Sequence, residues 1–223
     1  MKRTKLCDRK LPDYTRGEEC MNMVTHIVGG GIAVLALLGC CWIAAVHKSL
    51  WGILCAAVYG FSMVALYAMS SIYHGLRPGL GKKVMQVLDH CTIYFLIAGT
   101  YTPIALVALR PTYPLLGWSL AAFQWGLTAL AVVLTAIDLK KYNVFSMICY
   151  IGMGWAILPF IPQTRAVLGD TGFGFLLAGG IAYTLGAILY GIGSKKHWFH
   201  SIFHIFVVLG STLQLICILF YVL

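Results

Sequence analysis

Residues 49–73 read SLWGILCAAVYGFSMVALYAMSSIY, a run of 25 residues that contains no charged side chain and no histidine. A helix rises about 1.5 Å per residue, so about 20 apolar residues are enough to cross the roughly 30 Å hydrocarbon core of a bilayer. This stretch therefore predicts a membrane-spanning helix that ends near His74.

The rest of the chain repeats this pattern. Cutting it at every Asp, Glu, Lys, Arg and His leaves seven stretches of 19 to 27 residues: 27–46, 49–73, 91–109, 111–137, 142–164, 171–194 and 205–223. Only 10% of residues are charged, against about 25% in soluble domains. We predict an all-α integral membrane protein, a seven-transmembrane helix bundle over 24–223 that follows an N-terminal tail, 1–23. The predicted helices are 24–46, 50–74, 86–109, 114–137, 143–162, 172–193 and 199–222.

The distribution of basic residues accounts for the net charge of +9. Three of the 16 Lys and Arg residues, Lys48, Arg110 and Arg165, lie in the loops after the first, third and fifth stretches. The other thirteen lie in the tail and the alternate loops: Lys2, Arg3, Lys5, Arg9, Lys10, Arg16, Arg77, Lys82, Lys83, Lys140, Lys141, Lys195 and Lys196. Positive loops stay inside, which predicts a cytoplasmic N-terminus and an outside C-terminus. The basic residues thus serve topology, and no nucleic-acid partner is expected.

A few polar residues stand near the predicted cytoplasmic ends of three helices. Ser70 and His74 end the second helix, Asp89 begins the third, and His200 and His204 begin the seventh. All five are expected within about two helical turns of the same interface. Ionisable groups in membrane helices are costly and are candidates for function.

This set has the composition of a catalytic metal site. His200 and His204 are four residues apart, which places both imidazoles on one helix face. With His74 they would provide three nitrogen ligands, as in catalytic zinc sites that keep the fourth position for water. Asp89 could orient and deprotonate that water, whose pKa zinc brings to about 7. Ser70 could hydrogen-bond Asp89 or the water.

Spacing alone leaves alternatives open. His197 could compete as a ligand with the later histidines, and His90 could replace His74. A haem with two axial histidines is a weaker alternative, because paired histidines with Asp and Ser suit a small hydrolytic metal better. A retinal protein is excluded, since no lysine lies in any of the seven stretches.

Glu18, Asn22 and His26 are spaced four residues apart and share one face of a helix that runs into the first crossing. The functional interpretation is a cytoplasmic lip over the metal pocket. The alternative is helix capping and interfacial anchoring.

Four motifs together resemble those of a known family. They are Ser70-x-x-x-His74, Leu88-Asp89-His90 followed by LIAGTYTP at 96–103, His200-x-x-x-His204, and an N-terminal Glu18-Glu19 with Asn22 and Thr25-His26. The sequence resembles the haemolysin III family, the bacterial branch of the progestin and adipoQ receptor superfamily. That superfamily includes the adiponectin receptors and is related to the alkaline ceramidases. The resemblance covers essentially the whole chain.

The resemblance implies seven transmembrane helices in the bacterial inner membrane and a Zn²⁺ near the cytoplasmic face. His74, His200 and His204 would be its ligands, Asp89 would hold the water at the metal, and Ser70 would support it. His90 and His197 become neighbours of the site. The implied activity is zinc-dependent hydrolysis of amide or ester bonds in a membrane lipid or lipid-derived substrate, as in ceramidases, with a role in membrane homeostasis.

Two functions of other classes compete with hydrolysis. A membrane-state sensor or regulator would use zinc structurally and turn over no substrate. A pore-forming cytolysin would need a polar path across the bilayer. The fourth, fifth and sixth helices contain Gln124 and few other strongly polar groups, which disfavours a pore.

Overall fold

The structure is a computed structural model that describes residues 4–193 and 196–223. Within these ranges the chain is helical and contains no strand. Lys2, Arg3 and Lys195, which contribute to the predicted charge bias, lie outside the described residues. The main helices are α1 Arg16–Val46, α2 Leu50–Gly75, α3 Leu80–Pro103, α4 Pro114–Ile137, α5 Asn143–Gly154, α6 Ile161–Gly193 and α7 Phe199–Cys217.

Shorter turns complete these elements. A 3-10 turn, Leu6–Asp8, lies in the tail, and another, Leu158–Phe160, joins α5 to α6. A π-helical segment, Ile104–Leu109, and one turn of α-helix, Arg110–Thr112, extend α3, and a second π-helical segment, Ile218–Val222, extends α7. The described chain contains six segments long and apolar enough to cross a membrane, the longest being Asn143–Ile192.

The first helix begins eight residues earlier than position 24, where the sequence predicts it. A capping box explains this start: the Thr15 hydroxyl accepts a hydrogen bond from the Glu18 N–H, and the Glu18 carboxylate accepts one from the Thr15 N–H. These contacts pair backbone donors that a helix end otherwise leaves free. The N-terminal tail, predicted as 1–23, therefore ends at Thr15, and residues 16–23 belong to α1. The third helix also begins early, at Leu80 instead of residue 86.

The segment after α4 differs most from the predicted helices 143–162 and 172–193. α5 ends at Gly154, and the helical backbone of α6 is broken at Gly169, where φ is 68°. That left-handed conformation is one that glycine adopts without a Cβ clash. After the break, Gly172 lies against Tyr221 and Gly186 lies against Phe203, so this part of α6 is antiparallel to α7.

Aromatic and small side chains form the core around α2. Tyr59, Met63 and Tyr67 are fully buried, and the Tyr67 hydroxyl donates to the Ser211 hydroxyl of α7 over 2.8 Å. Large apolar side chains cover the outside of the bundle instead, among them Leu35, Trp42, Leu115 and Val144. An apolar exterior of this kind is compatible with lipid and not with water. The packing therefore agrees with a multi-pass membrane protein.

Candidate metal centre

Three histidines from two helices meet near one end of the bundle. His74 lies on the last turn of α2, and His200 and His204 lie on the first turns of α7. One ligand nitrogen from each residue lies within 4.8 Å of the others. The Nε2 atoms of His200 and His204 are 3.0 Å apart. Two imidazole lone pairs at this distance repel each other unless a proton or a cation lies between them.

The group fits a zinc ion by two criteria. A tetrahedral zinc with nitrogen ligands at about 2.0–2.1 Å separates those ligands by about 3.3 Å, which is close to the observed pair. In addition, His74 Nε2 is buried and makes no hydrogen bond among the described residues. A buried nitrogen without a partner is costly, and a metal ion would satisfy it.

A carboxylate from α1 contacts the candidate ligand on α2. Glu19 Oε2 lies 2.6 Å from His74 Nδ1, and Glu19 Oε1 lies 2.7 Å from Lys82 Nζ. The lysine also donates to the Leu76 carbonyl over 3.0 Å, which places it at the turn after α2. A carboxylate on the second ring nitrogen is the usual support of a metal-binding histidine. Sequence reasoning missed this role of Glu19. The available signal was its spacing of three and seven residues from Asn22 and His26, which places all three on one helix face.

The three residues predicted as a lip at the start of α1 make two kinds of contact. Asn22 accepts a hydrogen bond from Ser201 over 2.7 Å, and its amide nitrogen lies 3.4 Å from His74 Nδ1. His26 stacks on His204 with ring centroids 3.7 Å apart. Glu18 instead caps α1 and accepts a hydrogen bond from the Trp198 N–H over 2.6 Å at the start of α7. Asn22 and His26 thus contact the histidine group, and Glu18 caps α1.

Two half-buried tyrosines pack against His200. The Tyr14 ring, from the N-terminal tail, stacks on His200 with centroids 4.9 Å apart, and the Tyr190 ring lies 5.6 Å from the same imidazole. Burial raises the pKa of Tyr14, so its hydroxyl stays protonated at neutral pH. Sequence reasoning did not identify either tyrosine, because nothing in their local patterns distinguishes them from other interfacial aromatics.

The two histidines left open by spacing do not join the group. The His197 side chain is 71% exposed, and its Nδ1 lies 3.2 Å from a Glu18 carboxylate oxygen. His90 Nδ1 donates to the Gln86 carbonyl over 2.8 Å and lies 3.9 Å from Asp89. Neither belongs to the candidate metal-binding group found in the described residues.

Asp89 and Ser70 face a cavity of about 150 Å³ next to the histidines. The Asp89 side chain is 15% exposed. The Ser70 hydroxyl is buried close to this carboxylate, without the geometry of a hydrogen bond. Residues lining this end of the cavity also include His26, His200 and His204.

From the histidines the cavity extends along the inside of the bundle. It reaches Gln214, fourteen residues beyond His200 on α7, a distance of about 20 Å along a helix. Apolar side chains from α2, α3, α5 and α7 form most of its wall, including Leu66, Ile93, Ile97, Ile151, Phe203 and Val207. The cavity thus joins a polar end, where a carboxylate could exchange a proton, to a long apolar part that suits a hydrocarbon chain.

The fold and the histidine group define a class: multi-pass helical membrane proteins with a candidate metal centre at one end of the bundle. The sequence model of the family described as Haemolysin-III related matches residues 14–215. The chain therefore belongs to the haemolysin III family, and the resemblance found in its motifs is confirmed.

Curated relatives extend over most of the chain. Hemolysin-3 of Bacillus cereus is 38% identical over 206 residues, which cover 92% of each chain. The Hemolysin-3 homolog of Bacillus subtilis (strain 168) is 36% identical over 208 residues, or 93% of this chain and 96% of the relative. The human Monocyte to macrophage differentiation factor is 26% identical over 205 residues, or 88% of this chain and 81% of the relative.

Proposed function

We propose that this protein is a zinc-dependent hydrolase that cleaves an amide or ester bond in a membrane lipid or lipid-derived substrate. One observation carries the proposal: three histidines with an unsatisfied nitrogen lie beside Asp89 at the polar end of a long apolar cavity. A lipid has the same division into a polar linkage and a hydrocarbon chain.

The proposal includes seven crossings of the bacterial inner membrane, with the N-terminus in the cytoplasm. Tyr150 donates to the His90 carbonyl, and Tyr101 donates to the Gly154 carbonyl, which supports α5 running in the same direction as α3. Because α6 runs antiparallel to α7 after Gly169, the long segment Asn143–Ile192 would go out and return. The excess of Lys and Arg on the side of the histidines supports the cytoplasmic placement of the centre.

The histidines and the residues behind them would prepare the site. A zinc ion held by His74, His200 and His204 would polarise the substrate carbonyl and make water more acidic. Glu19 would orient His74 by accepting a hydrogen bond from its Nδ1–H, and Asn22 would hold the start of α7 through Ser201. These contacts would keep the metal-facing nitrogens aligned without help from the substrate.

Asp89 would act as the proton carrier. Its carboxylate would accept a proton as water adds to the carbonyl carbon, and would return it to the departing nitrogen or oxygen as the bond to carbon breaks. Ser70 would steer this carboxylate by a hydrogen bond once substrate enters. The products would be a fatty acid and an amine or alcohol, with the acyl chain lying in the cavity during the reaction.

The experiment is a fatty-acid release assay on purified protein with a measured zinc content. Ceramides, other N-acyl lipids and ester lipids are supplied in mixed micelles to the wild type and to Asp89→Asn, with His197→Ala as a control outside the group. We expect release by the wild type and the control, and a loss of about 10²–10⁴-fold in Asp89→Asn at unchanged zinc content.

A sensor with structural zinc predicts the opposite outcome. If zinc-loaded wild type releases no fatty acid under conditions where a known lipid amidase does, the hydrolase proposal fails. If Asp89→Asn also supports growth under membrane stress as well as wild type does, the sensor takes its place. Single-channel conductance of pure protein in planar bilayers would instead support a pore.

A further inference from the structure

A second cavity, here called the basic pocket, lies between the N-terminal tail and the start of α3. Arg9 and Lys10 from the tail and Lys83 from α3 line it, together with Gly79 and Leu80 at the helix start. It is separate from the cavity at the metal centre, with which it shares no lining residue.

Arg9 is an unusual side chain for a tail. It is 7% exposed, and its Nε and Nη1 atoms are buried with no hydrogen-bond partner among the described residues. A charged donor that is buried and unpaired is costly, so native proteins supply a partner. Arg9 lines the basic pocket, where an anion would offset the charge of its guanidinium.

Asp138, the carboxylate that interacts electrostatically with Arg9, already has other hydrogen-bond partners. Asp138 Oδ2 accepts the Thr4 N–H over 2.7 Å, and Oδ1 accepts the N–H groups of Lys140 and Lys141 over 3.2 and 3.1 Å. No ion pair joins Asp138 to Arg9 in the part of the chain that the structure describes. The guanidinium therefore keeps unused donors.

The remaining groups of the basic pocket also favour an anion. Lys10 and Lys83 add two positive charges, against one carboxylate, Asp13. Lys83 donates to the Cys7 carbonyl, which draws its ammonium group toward the tail. The pocket also includes the start of α3, where Gly79 provides no side-chain cap for the first N–H groups. Uncapped N–H groups and the helix dipole favour a negative ligand there.

The position of the pocket indicates which molecule carries that anion. Leu80 and Val84, on the first turns of α3, are 61% and 40% exposed, as expected of side chains that meet lipid. The pocket thus lies where an apolar helix surface gives way to basic residues, at the depth of phospholipid head groups. We propose that the basic pocket binds the phosphate group of an anionic phospholipid in the leaflet on this side of the membrane.

The test measures lipid binding to the full-length protein by native mass spectrometry in detergent at fixed ionic strength. The probes are phosphatidylglycerol, phosphatidylcholine and inorganic phosphate. The variants are Arg9→Gln and Lys83→Gln, with Arg16→Gln as the control, because Arg16 is exposed and does not line the pocket. Elution volume and thermal melting check that each variant is folded.

We expect wild type to bind phosphatidylglycerol at least tenfold more tightly than phosphatidylcholine. Each pocket variant should lose about tenfold of that affinity, while Arg16→Gln should keep it. If Arg9→Gln does not fold, Lys83→Gln should still lose about tenfold of the affinity for phosphatidylglycerol. Arg9→Lys, which keeps the positive charge, should retain the preference for phosphatidylglycerol over phosphatidylcholine.

Other results would count against the proposal. Equal binding of the two lipids, or unchanged selectivity in the folded pocket variants, would overturn it. If inorganic phosphate bound as tightly as phosphatidylglycerol and depended on the same residues, the anion site would stand, and the lipid would be overturned as the source of its ligand.

Discussion

Glu19 Oε2 lies 2.6 Å from Nδ1 of His74, across the contact between α1 and α2. Because the carboxylate accepts a hydrogen bond from Nδ1–H, the imidazole keeps its proton there and leaves Nε2 as its free nitrogen. Lys82 lies on the other oxygen of Glu19 and holds that carboxylate in place. Three elements, α1, α2 and α3, thus determine the orientation of one candidate ligand.

This contact predicts a role for Glu19 in metal affinity. Glu19→Gln retains all three candidate ligands but loses the negative charge behind His74. We expect zinc affinity to fall by about 10–100-fold, the usual effect of removing such a support. Competition with a chelator of known affinity measures it. Asp170→Asn removes an exposed carboxylate that pairs with Arg165 and should leave zinc affinity unchanged; equal affinity of Glu19→Gln and wild type would contradict the assignment.

The metal centre itself is tested by zinc content. Wild type purified without chelator should contain close to one zinc per chain, and the double variant His200→Ala, His204→Ala should contain almost none, since one imidazole cannot hold the ion. Plasma mass spectrometry gives both values. His197→Ala is the matched control, because this residue precedes α7 with an exposed side chain and should keep full occupancy. Equal zinc in wild type and the double variant would place the ion elsewhere.

Close packing of α1 on α2 predicts a difference between neighbouring glycines. A Cβ at Gly29 would lie 2.4 Å from the ring of Tyr67, while a Cβ at Gly31 would meet no atom within 4 Å. Gly29→Ala should therefore destabilise the fold by about 1–3 kcal/mol through overpacking. Gly31→Ala should be neutral or slightly stabilising. Thermal melting in detergent compares the two variants. Equal melting temperatures would show that the Tyr67 ring moves aside without loss of stability.

Docking of the N-terminal tail should depend on pH through Asp138. The N–H of Thr4 and that of Lys141 hold the pKa of this carboxyl below its usual range. A lowered folded-state pKa stabilises docking at pH values above the ordinary Asp pKa of about 3.9, and this stabilisation is lost as the pH falls through the lowered value. We expect the tail to stay docked from neutral pH down to about pH 4 and to be released below it.

Fluorescence anisotropy of a label on Cys7 measures this release in a Cys20→Ser background, since both cysteines are exposed. Asp138→Asn should show low anisotropy already at neutral pH and no further change on acidification. If its anisotropy followed the wild-type pH curve, another group would have to anchor the tail.

Local sequence patterns were sufficient to predict most of the helices and part of the candidate metal centre. Apolar stretches without charges predicted most of the helices, and the spacing of His200 and His204 placed both on one helix face. Spacing did not separate His74 from His90 as the third candidate ligand. That choice depends on how α2 and α3 are rotated about their axes relative to α7. In the structure His74 faces His200 and His204, whereas His90 donates a hydrogen bond to the Gln86 carbonyl.

Helix ends and breaks were less predictable. The start of α1 depends on a capping box whose residues stand inside the predicted tail. The break at Gly169 lies between two predicted helices, and the chain has other glycines within helices that do not break, such as Gly29 and Gly31. A glycine permits a positive φ but does not require one. Which glycine adopts a positive φ therefore depends on how α6 packs on α7, and not on the local sequence.

The sequence by itself determined that the chain folds as apolar helices in a membrane and which residue types are available for a metal centre, because hydropathy and helical spacing are local properties. Only the tertiary structure decided that Glu19, Asn22 and His26 support the three histidines and that Arg9 is buried beside the start of α3. These relationships join residues that are distant along the chain, and they form only when helix packing brings their faces together.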